Sequence, residues 1–363
     1  MKAAICYEHG KPLVIEEVDI TTPKGRNVKV KLGACAICHS DIHYMEGAWQ
    51  GQLPAVFGHE ASGVVTEIGP EVTRLKVGDR VIVTLIRSCG SCYYCDHGEP
   101  VMCGDAVATD SDEVISLKDG TPVVQGMKTG AFAEYVVVDE SQTAGLPDDM
   151  PLDVACLLAC GVITGAGAVV NTARVKPGSS VVVVGVGGVG LNSIQAAALS
   201  GAAKIIAVDI ELEKLKTALS FGATHTVEAG KDKISREIRA LTHGRGADYV
   251  FVTVGSGSAI DSSYRFIRRG GTVVIVGMPA IDVTSEFSPL GLAGSVQTIK
   301  GSFMGQTNLG NDIPWLLDLY KEGRLKLDEL ISNRYDLDQI NEAIENTLEG
   351  KSLRNVLVID STL

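Results

Sequence analysis

Residues 181–190 read VVVVGVGGVG: four valines run into Gly185-x-Gly187-x-x-Gly190, and a helical stretch follows. Few local patterns restrict a fold as strongly. Four consecutive β-branched residues suit a strand covered on both faces, as in a parallel sheet. The first glycine suits a tight turn, the second a close approach of backbone to a phosphate, the third the packing of helix on strand. The helix that follows aims its first backbone N–H groups at such an anion, and Gly188, Val189 and Gly190 of the loop are candidate cofactor contacts with Gly185 and Gly187. The spacing alone is weak; its context adds to it. The next apolar run, KIIAVD, ends in Asp209, close to the roughly 20 residues expected for the acid of a dinucleotide fold. A carboxylate there accepts from adenosine ribose hydroxyls and repels a 2′-phosphate, and Ile210 and Glu211 bring no arginine for one. The loop therefore predicts NAD rather than NADP, with an ordinary strand-ending aspartate as the bland alternative.

The pattern around this loop extends the reading. Val181–Val184, Lys204–Val208, Tyr249–Val254 and Thr272–Val276 are nearly continuous apolar runs, and Leu191–Leu199 and Glu211–Phe221 between them carry helical spacing. This alternation predicts an α/β doubly wound parallel sheet. Residues 1 to about 160 differ: short β-branched runs (Val28–Leu32, Gly63–Ile68, Arg80–Thr84, Ala133–Val138) alternate with Gly and Pro turns, as in a mainly-β domain. The pattern changes near Pro151, and amphipathic helices over Asp312–Glu322 and Leu337–Glu349 precede a last strand, Asn355–Ile359.

The chain has 363 residues, which at about 150 per domain predicts two domains. Its 45% hydrophobic content excludes a disordered chain. With 44 acids against 32 bases, net −12, it does not suit nucleic acid or anionic lipid, both of which select basic faces. The uncharged stretch 177–203 has the length of a membrane span, but glycines, Ser179, Ser180, Asn192 and Gln195 interrupt it. Met1–Glu8 lacks the apolar core of a secretory signal. The expectation is a soluble, cytoplasmic protein with no membrane partner.

Nine cysteines are an odd number, and four crowd into one segment, Cys89-x2-Cys92-x2-Cys95-x7-Cys103. That is a poor disulfide framework for a long chain and a good metal loop. Four thiolates close a tetrahedral shell and leave no room for substrate, so the metal would be structural zinc. An iron–sulfur cluster is the rival, but ferredoxin runs place the fourth cysteine about three residues on, before a proline. Here seven residues intervene and Gly104 follows.

A second constellation is scattered. Cys38-His39-Ser40-Asp41 is read as a loop with His43 just after; Gly58-His59-Glu60 follows Leu53–Phe57; Cys160 ends the apolar run Val154–Ala159. None is specific alone, since a lone cysteine after an apolar run is usually core, Ser40 alone could cap a helix, and Asp41 or Lys214 alone could be a solvated charge. Together they offer two thiolates and one imidazole, the ligand set of a catalytic zinc with an open position. Zn²⁺ with two thiolates and a neutral imidazole sums to zero charge, so an alcohol there can ionise at modest electrostatic penalty and become a better hydride donor. Cys35 with Cys38 spells CxxC, but ligation of Cys38 competes with a redox pair; Cys35, Cys6 and Cys156 are read as small buried hydrophobes. His9, His97, His225 and His243 lie in no motif.

At this point the chain resembles the zinc-containing medium-chain alcohol dehydrogenases. The resemblance spans nearly the whole sequence, in order: CxxCHSDxHY at 35–44, GHExxGxV at 58–65, the four-cysteine loop, CGVxTGxGA at 160–168, GVGGVG at 185–190 and GKSLRNVLV at 350–358. It implies a Rossmann domain over 163–296, binding NAD, inserted into a mainly-β, GroES-like catalytic domain over 1–162 and 297–363 that carries two zinc sites. It assigns Cys38, His59 and Cys160 to the catalytic zinc and Cys89, Cys92, Cys95 and Cys103 to the structural one. Ser40 would take the alcohol proton and pass it, through the nicotinamide ribose, to His43; Asp41 would bond His59 from behind; Glu60 would sit near the zinc and assist ligand exchange. Thr164 would touch the nicotinamide, Asp209 and Lys214 the adenosine ribose, and His39 and Arg354 the pyrophosphate. A homodimer by sheet extension in the nucleotide domain, or a homotetramer, is the implied assembly.

Substrate identity is less legible. Family members acting on S-(hydroxymethyl)glutathione carry an arginine at the position of Val107, and Asp105, Asp110 and Asp112 make this segment acidic, which disfavours an anionic substrate. Leu85 and Trp49 fall at positions that line the family's substrate channel. The expectation is reversible oxidation of a primary or secondary alcohol. The alternatives are formaldehyde oxidation as a glutathione adduct, a catalytically silent nucleotide-binding protein and an iron–sulfur carrier.

Overall fold

A computed structural model of the chain describes residues 1–105, 113–230 and 233–363. The chain forms two compact units, one of Met1–Gly161 with Asn308–Leu363 and one of Val162–Thr307. The return to the first unit lies at 307/308 rather than at the expected 296/297. The reason is the strand Thr298–Gly301, which pairs in parallel with Ile267–Ile275 and so belongs to the inserted unit.

The inserted unit is built on a six-stranded parallel sheet. Its order in space is His225–Glu228, Lys204–Asp209, Ser180–Val184, Ala247–Val252, Ile267–Ile275, Thr298–Gly301. Counted along the chain this is 3-2-1-4-5-6, the doubly wound order, with its reversal beside Ser180–Val184. Val181, Val182 and Val183 are fully buried, each contributing roughly 1.5–3 kcal/mol of burial. The helix Gly188–Leu199 that follows is buried continuously from Gly190 to Ala197. The uncharged stretch 177–203 is thus strand, turn and interior helix.

The first unit is built around one long strand, Asn27–Ala36. It pairs antiparallel with Glu60–Ile68, with Tyr135–Asp139 and with Arg354–Val358 from the chain's far end. Cys35 stands opposite both Ala61 and Leu357. Helix Ile340–Leu348 buries Ile340, Ala343 and Ile344, the i, i+3, i+4 stripe of a surface helix. Asn355 fastens it, donating to Ala343 O at 3.2 Å and Thr347 Oγ1 at 2.8 Å. This pairing brings Arg354 into the sheet that also carries Glu60.

Candidate active site

Residues 39–45 form a helix, His39–Met45, where the sequence suggests a loop. Asp41 explains the difference. Its Oδ2 accepts the Cys38 N–H at 3.1 Å, closing the first turn from within. Its Oδ1 accepts the Gly58 N–H at 2.9 Å and lies 3.0 Å from His59 Nδ1. One fully buried carboxylate therefore ties two distant motifs together. The helix also places Ser40 and His43, three apart, on one face.

The ligand atoms of Cys38, His59, Glu60 and Cys160 lie within 4.8 Å of one another, and all but half-buried Cys38 are buried. His59 pairs through Nδ1 with Asp41, which leaves Nε2 as the nitrogen open to a metal; that atom is buried and has no hydrogen-bond partner among the described residues. A buried, unpartnered imidazole nitrogen facing two sulfurs is what a metal-ligating histidine presents. The electrostatics agree. Burial disfavours an imidazolium, but the charge and hydrogen bond of Asp41, with Cys38, outweigh it and hold the His59 pKa well above its usual range. A hydrogen bond from Cys160 pulls Cys38 well below the usual thiol value, and the same bond pushes Cys160 up. Surroundings that hold a proton this firmly favour any cation, and the donor set of two sulfurs and one nitrogen fits zinc.

Glu60 stands beside this group. Its Oε2 meets Arg354 Nη2 at 2.5 Å and accepts from Gly161 N at 3.4 Å, while Oε1 is buried without a partner among the described residues. Burial, only partly offset by Arg354, pushes the carboxyl up to about 7. Burial in turn opposes the Arg354 charge, and Glu60 outweighs it, raising the guanidinium. The contact the structure gives Arg354 is this buried pair, whose members are 294 positions apart in the sequence. No sequence signal links the two.

The four-cysteine loop gathers all four sulfurs within 4.8 Å. Cys92 Sγ lies 3.6 Å from Cys95 Sγ and 3.8 Å from Cys103 Sγ, against about 3.8 Å for edges of a tetrahedron with Zn–S near 2.3 Å. The cluster fits a structural zinc. The Ser91 backbone N–H, the largest influence, helps pull Cys89 down to about 7. Arg26 anchors the loop: it donates to Cys89 O at 3.2 Å and is itself held by Asp139 at 3.3 Å and Glu140 at 3.5 Å. Asp105 accepts from Cys89 Sγ at 3.7 Å, so it faces this loop. Val107, Asp110 and Asp112 lie outside the described residues.

In the inserted unit, Gly185 has φ +87, and a Cβ there would meet Val254 Cγ1 at 2.3 Å; one on Gly190 would meet Gly185 O at 2.0 Å. A Cβ on Gly187 meets nothing within 4 Å. Gly187, Gly188 and Val189 are the half-buried part of an otherwise buried segment. The loop is an open cradle at a helix N-terminus, which fits a phosphate. Asp209 Oδ2 accepts from Val186 N at 2.8 Å and Oδ1 from Glu211 N at 3.0 Å, so the carboxylate is held at the loop's edge. Thr164 is buried and donates to Met304 Sδ at 3.8 Å. Lys214 is half-buried on helix Leu212–Ser220, His39 is exposed at its helix start, and Leu85 and Trp49 are half-buried in the first unit.

Comparison with known proteins converges on the same reading. Residues 24–148 match the alcohol dehydrogenase GroES-like domain, and residues 188–322 the zinc-binding dehydrogenase domain. The chain is 36% identical to the NDMA-dependent alcohol dehydrogenase of Amycolatopsis methanolica, covering 98% of each chain. It is also 36% identical to alcohol dehydrogenase 1 of Pisum sativum, over 99% of this chain and 97% of that one. The crystal structure of benzyl alcohol dehydrogenase from Acinetobacter calcoaceticus superposes with a TM-score of 0.92 at 32% identity, covering 99% of both chains. The chain belongs to the zinc-containing medium-chain alcohol dehydrogenase family, and is an oxidoreductase of that type.

Proposed function

We propose that the protein oxidises a primary or secondary alcohol to an aldehyde or ketone, reversibly, with hydride transfer to NAD. One observation carries this reading: Cys38, His59, Glu60 and Cys160 converge on a buried histidine nitrogen that no described residue satisfies. Cys38, His59 and Cys160 would hold zinc, which when bound supplies the Lewis acidity that makes an alcohol hydroxyl acidic near neutral pH. Asp41 fixes the His59 tautomer and, through the Cys38 N–H, the start of the helix. Arg354 holds one oxygen of Glu60, leaving the other buried without a hydrogen-bond partner among the described residues. The conversion of RCH₂OH and NAD⁺ to RCHO and NADH releases one proton. Ser40 can relay it through its hydroxyl, and the His43 imidazole is the base that would accept it.

For the nucleotide, the open cradle at Gly187 supports a pyrophosphate, and the fixed Asp209 carboxylate supports NAD over its 2′-phosphorylated form. Thr164 for the nicotinamide, Lys214 for the adenosine ribose, and His39 with Arg354 for the pyrophosphate are the further contacts proposed. Cys89, Cys92, Cys95 and Cys103 would hold the second, structural zinc. The partner proposed is a second copy of the chain. Strand Thr298–Gly301 is an exposed sheet edge, and Ile281, Leu290 and Val296 of the same unit are 75%, 84% and 76% exposed; such an edge invites pairing.

The test is NADH absorbance with a graded series of straight-chain alcohols and benzyl alcohol, beside formaldehyde plus glutathione. NADH formation that rises with apolar size is expected. Turnover only with the glutathione mixture would replace the substrate; reduction of NADP alone would overturn the account of Asp209. Turnover dependent on NDMA, as the Amycolatopsis relative's name describes, would replace NAD as the exchangeable oxidant.

A further inference from the structure

His43, where the proposed relay ends, has a neighbour that the motif does not contain. The helix His39–Met45 closes at Glu46, and Gly47 turns the chain back with φ +76. The Trp49 N–H then donates to His43 O at 3.2 Å. The indole lies against the imidazole, with ring centroids 5.0 Å apart and planes at 38°. The indole is held in turn. Tyr44 meets it edge-on at 5.3 Å and 83°, and Tyr44 lies on Phe57 at 5.8 Å and 20°. Phe57 belongs to the buried core of the first unit. The turn itself is braced: a Cβ on Gly47 would meet the His9 ring at 3.1 Å, and His9 Nδ1 lies 3.0 Å from Tyr44 O. An aromatic ladder thus runs from core to imidazole, all within one unit.

The ladder has a consequence for proton transfer. A half-buried histidine on a helix of seven residues otherwise samples several staggered rotamers. A relay works only while donor and acceptor stay within hydrogen-bond reach, so rotamer freedom lowers the rate directly. An aromatic face removes that freedom and is favourable to a neutral or a protonated ring alike. We propose that Trp49 is a positioning residue for the proton relay: it fixes the His43 imidazole and acts on turnover through it, not only as a wall for substrate. The inference rests on the proposed role of His43 and adds to it.

The test uses the full chain with zinc and NAD, and four variants: Trp49→Leu, Trp49→Phe, His43→Gln and the Leu/Gln double. Trp49→Leu is expected to lower kcat for alcohol oxidation about fivefold, with KM changed less than about twofold, as for a base that is present but misplaced. Trp49→Phe keeps a ring face and should lower kcat clearly less than Trp49→Leu does. The double variant should be no slower than His43→Gln alone. Added imidazole buffer should raise the rates of Trp49→Leu and His43→Gln, because an external base replaces the relay. Multiplying losses in the double variant, or a loss confined to KM, would overturn the proposal. A second readout needs no turnover. The His43 ring-proton resonance, identified by its absence in His43→Gln, should carry a ring-current shift that Trp49→Phe keeps and Trp49→Leu removes. A resonance unmoved by Trp49→Leu would also overturn it. Should His43→Gln keep full kcat, the relay itself falls; a slow His43→Gln with an additive Trp49→Leu sinks only the role of Trp49.

Discussion

The two sulfur-bearing centres of the first unit are opposites in construction. Cys89, Cys92, Cys95 and Cys103 come from one short loop, stay half-buried and offer four equal donors. Cys38, His59, Glu60 and Cys160 come from three separated segments, sit deeper and offer unequal donors, of which His59 and Glu60 are held by Asp41 and Arg354 outside the cluster. A loop that supplies all its ligands saturates the ion and gains folding energy. A site assembled from distant strands can leave a coordination position open, because the fold and not the ion holds the geometry. The first centre is therefore expected to serve stability and the second chemistry.

The sharpest way to break this contrast is a pair of matched substitutions. Cys160→Ser should cut kcat by about a thousandfold or more while nucleotide binding survives. Cys92→Ser should leave kcat per folded molecule near the parent but lower Tm by about 10 °C or more. The opposite pattern, in turnover and calorimetry, would reverse the two roles. Next comes pH. His59 and Cys160 hold protons above their usual ranges, and both must lose them to bind metal. Zinc uptake by the metal-stripped protein should release protons, and affinity at the buried centre should fall as pH falls, by about tenfold per unit for each proton displaced. Titration with a pH indicator reads this, and proton-neutral uptake would contradict the assignment.

Asp41→Asn sharpens the comparison further, since only the buried centre depends on a carboxylate behind its histidine. Zinc affinity there should drop about 10–100-fold, with the four-cysteine loop unaffected, as competition with a chelator would show. Asp248→Ala, in the inserted unit, is the smallest expected effect and the control. Burial alone would raise the Asp248 pKa, but Ser180 N and Oγ, both at 2.7 Å, and Arg268 Nε at 2.6 Å lower it below 3.8. That stabilisation is complete above about pH 4 and fades as pH falls through the lower folded value. The substitution should cost about 2 kcal/mol at pH 7, with the two denaturation curves converging in acid and neither metal centre changed.

The readable parts of the sequence were those whose chemistry is local. The glycine loop and the four-cysteine loop each fit within a few turns of chain, and both took the form their spacing implied. The elements that were not marked are short or exposed. Strand His225–Glu228 buries one residue and Thr298–Gly301 none, so neither makes an apolar run. Helices Ile234–Leu241 and Gly257–Ser263 bury only Ile238 and only Ile260 with Ser263. The helix at His39–Met45 was hidden because its first turn is closed by Asp41, a residue busy with His59 as well.

By itself the sequence determined the doubly wound unit, the ligand types of both sulfur centres and the family, because periodicity, residue chemistry and spacing act over short stretches. Only the tertiary structure decided the pairings that no motif implied: Glu60 with Arg354, Arg26 with Cys89, and Trp49 against His43. The first two join segments that strand pairing and loop packing bring together, and the last is made by the turn at Gly47. Sequence distance carries no record of them, and a buried charge or an orphaned nitrogen becomes visible only once its surroundings exclude water.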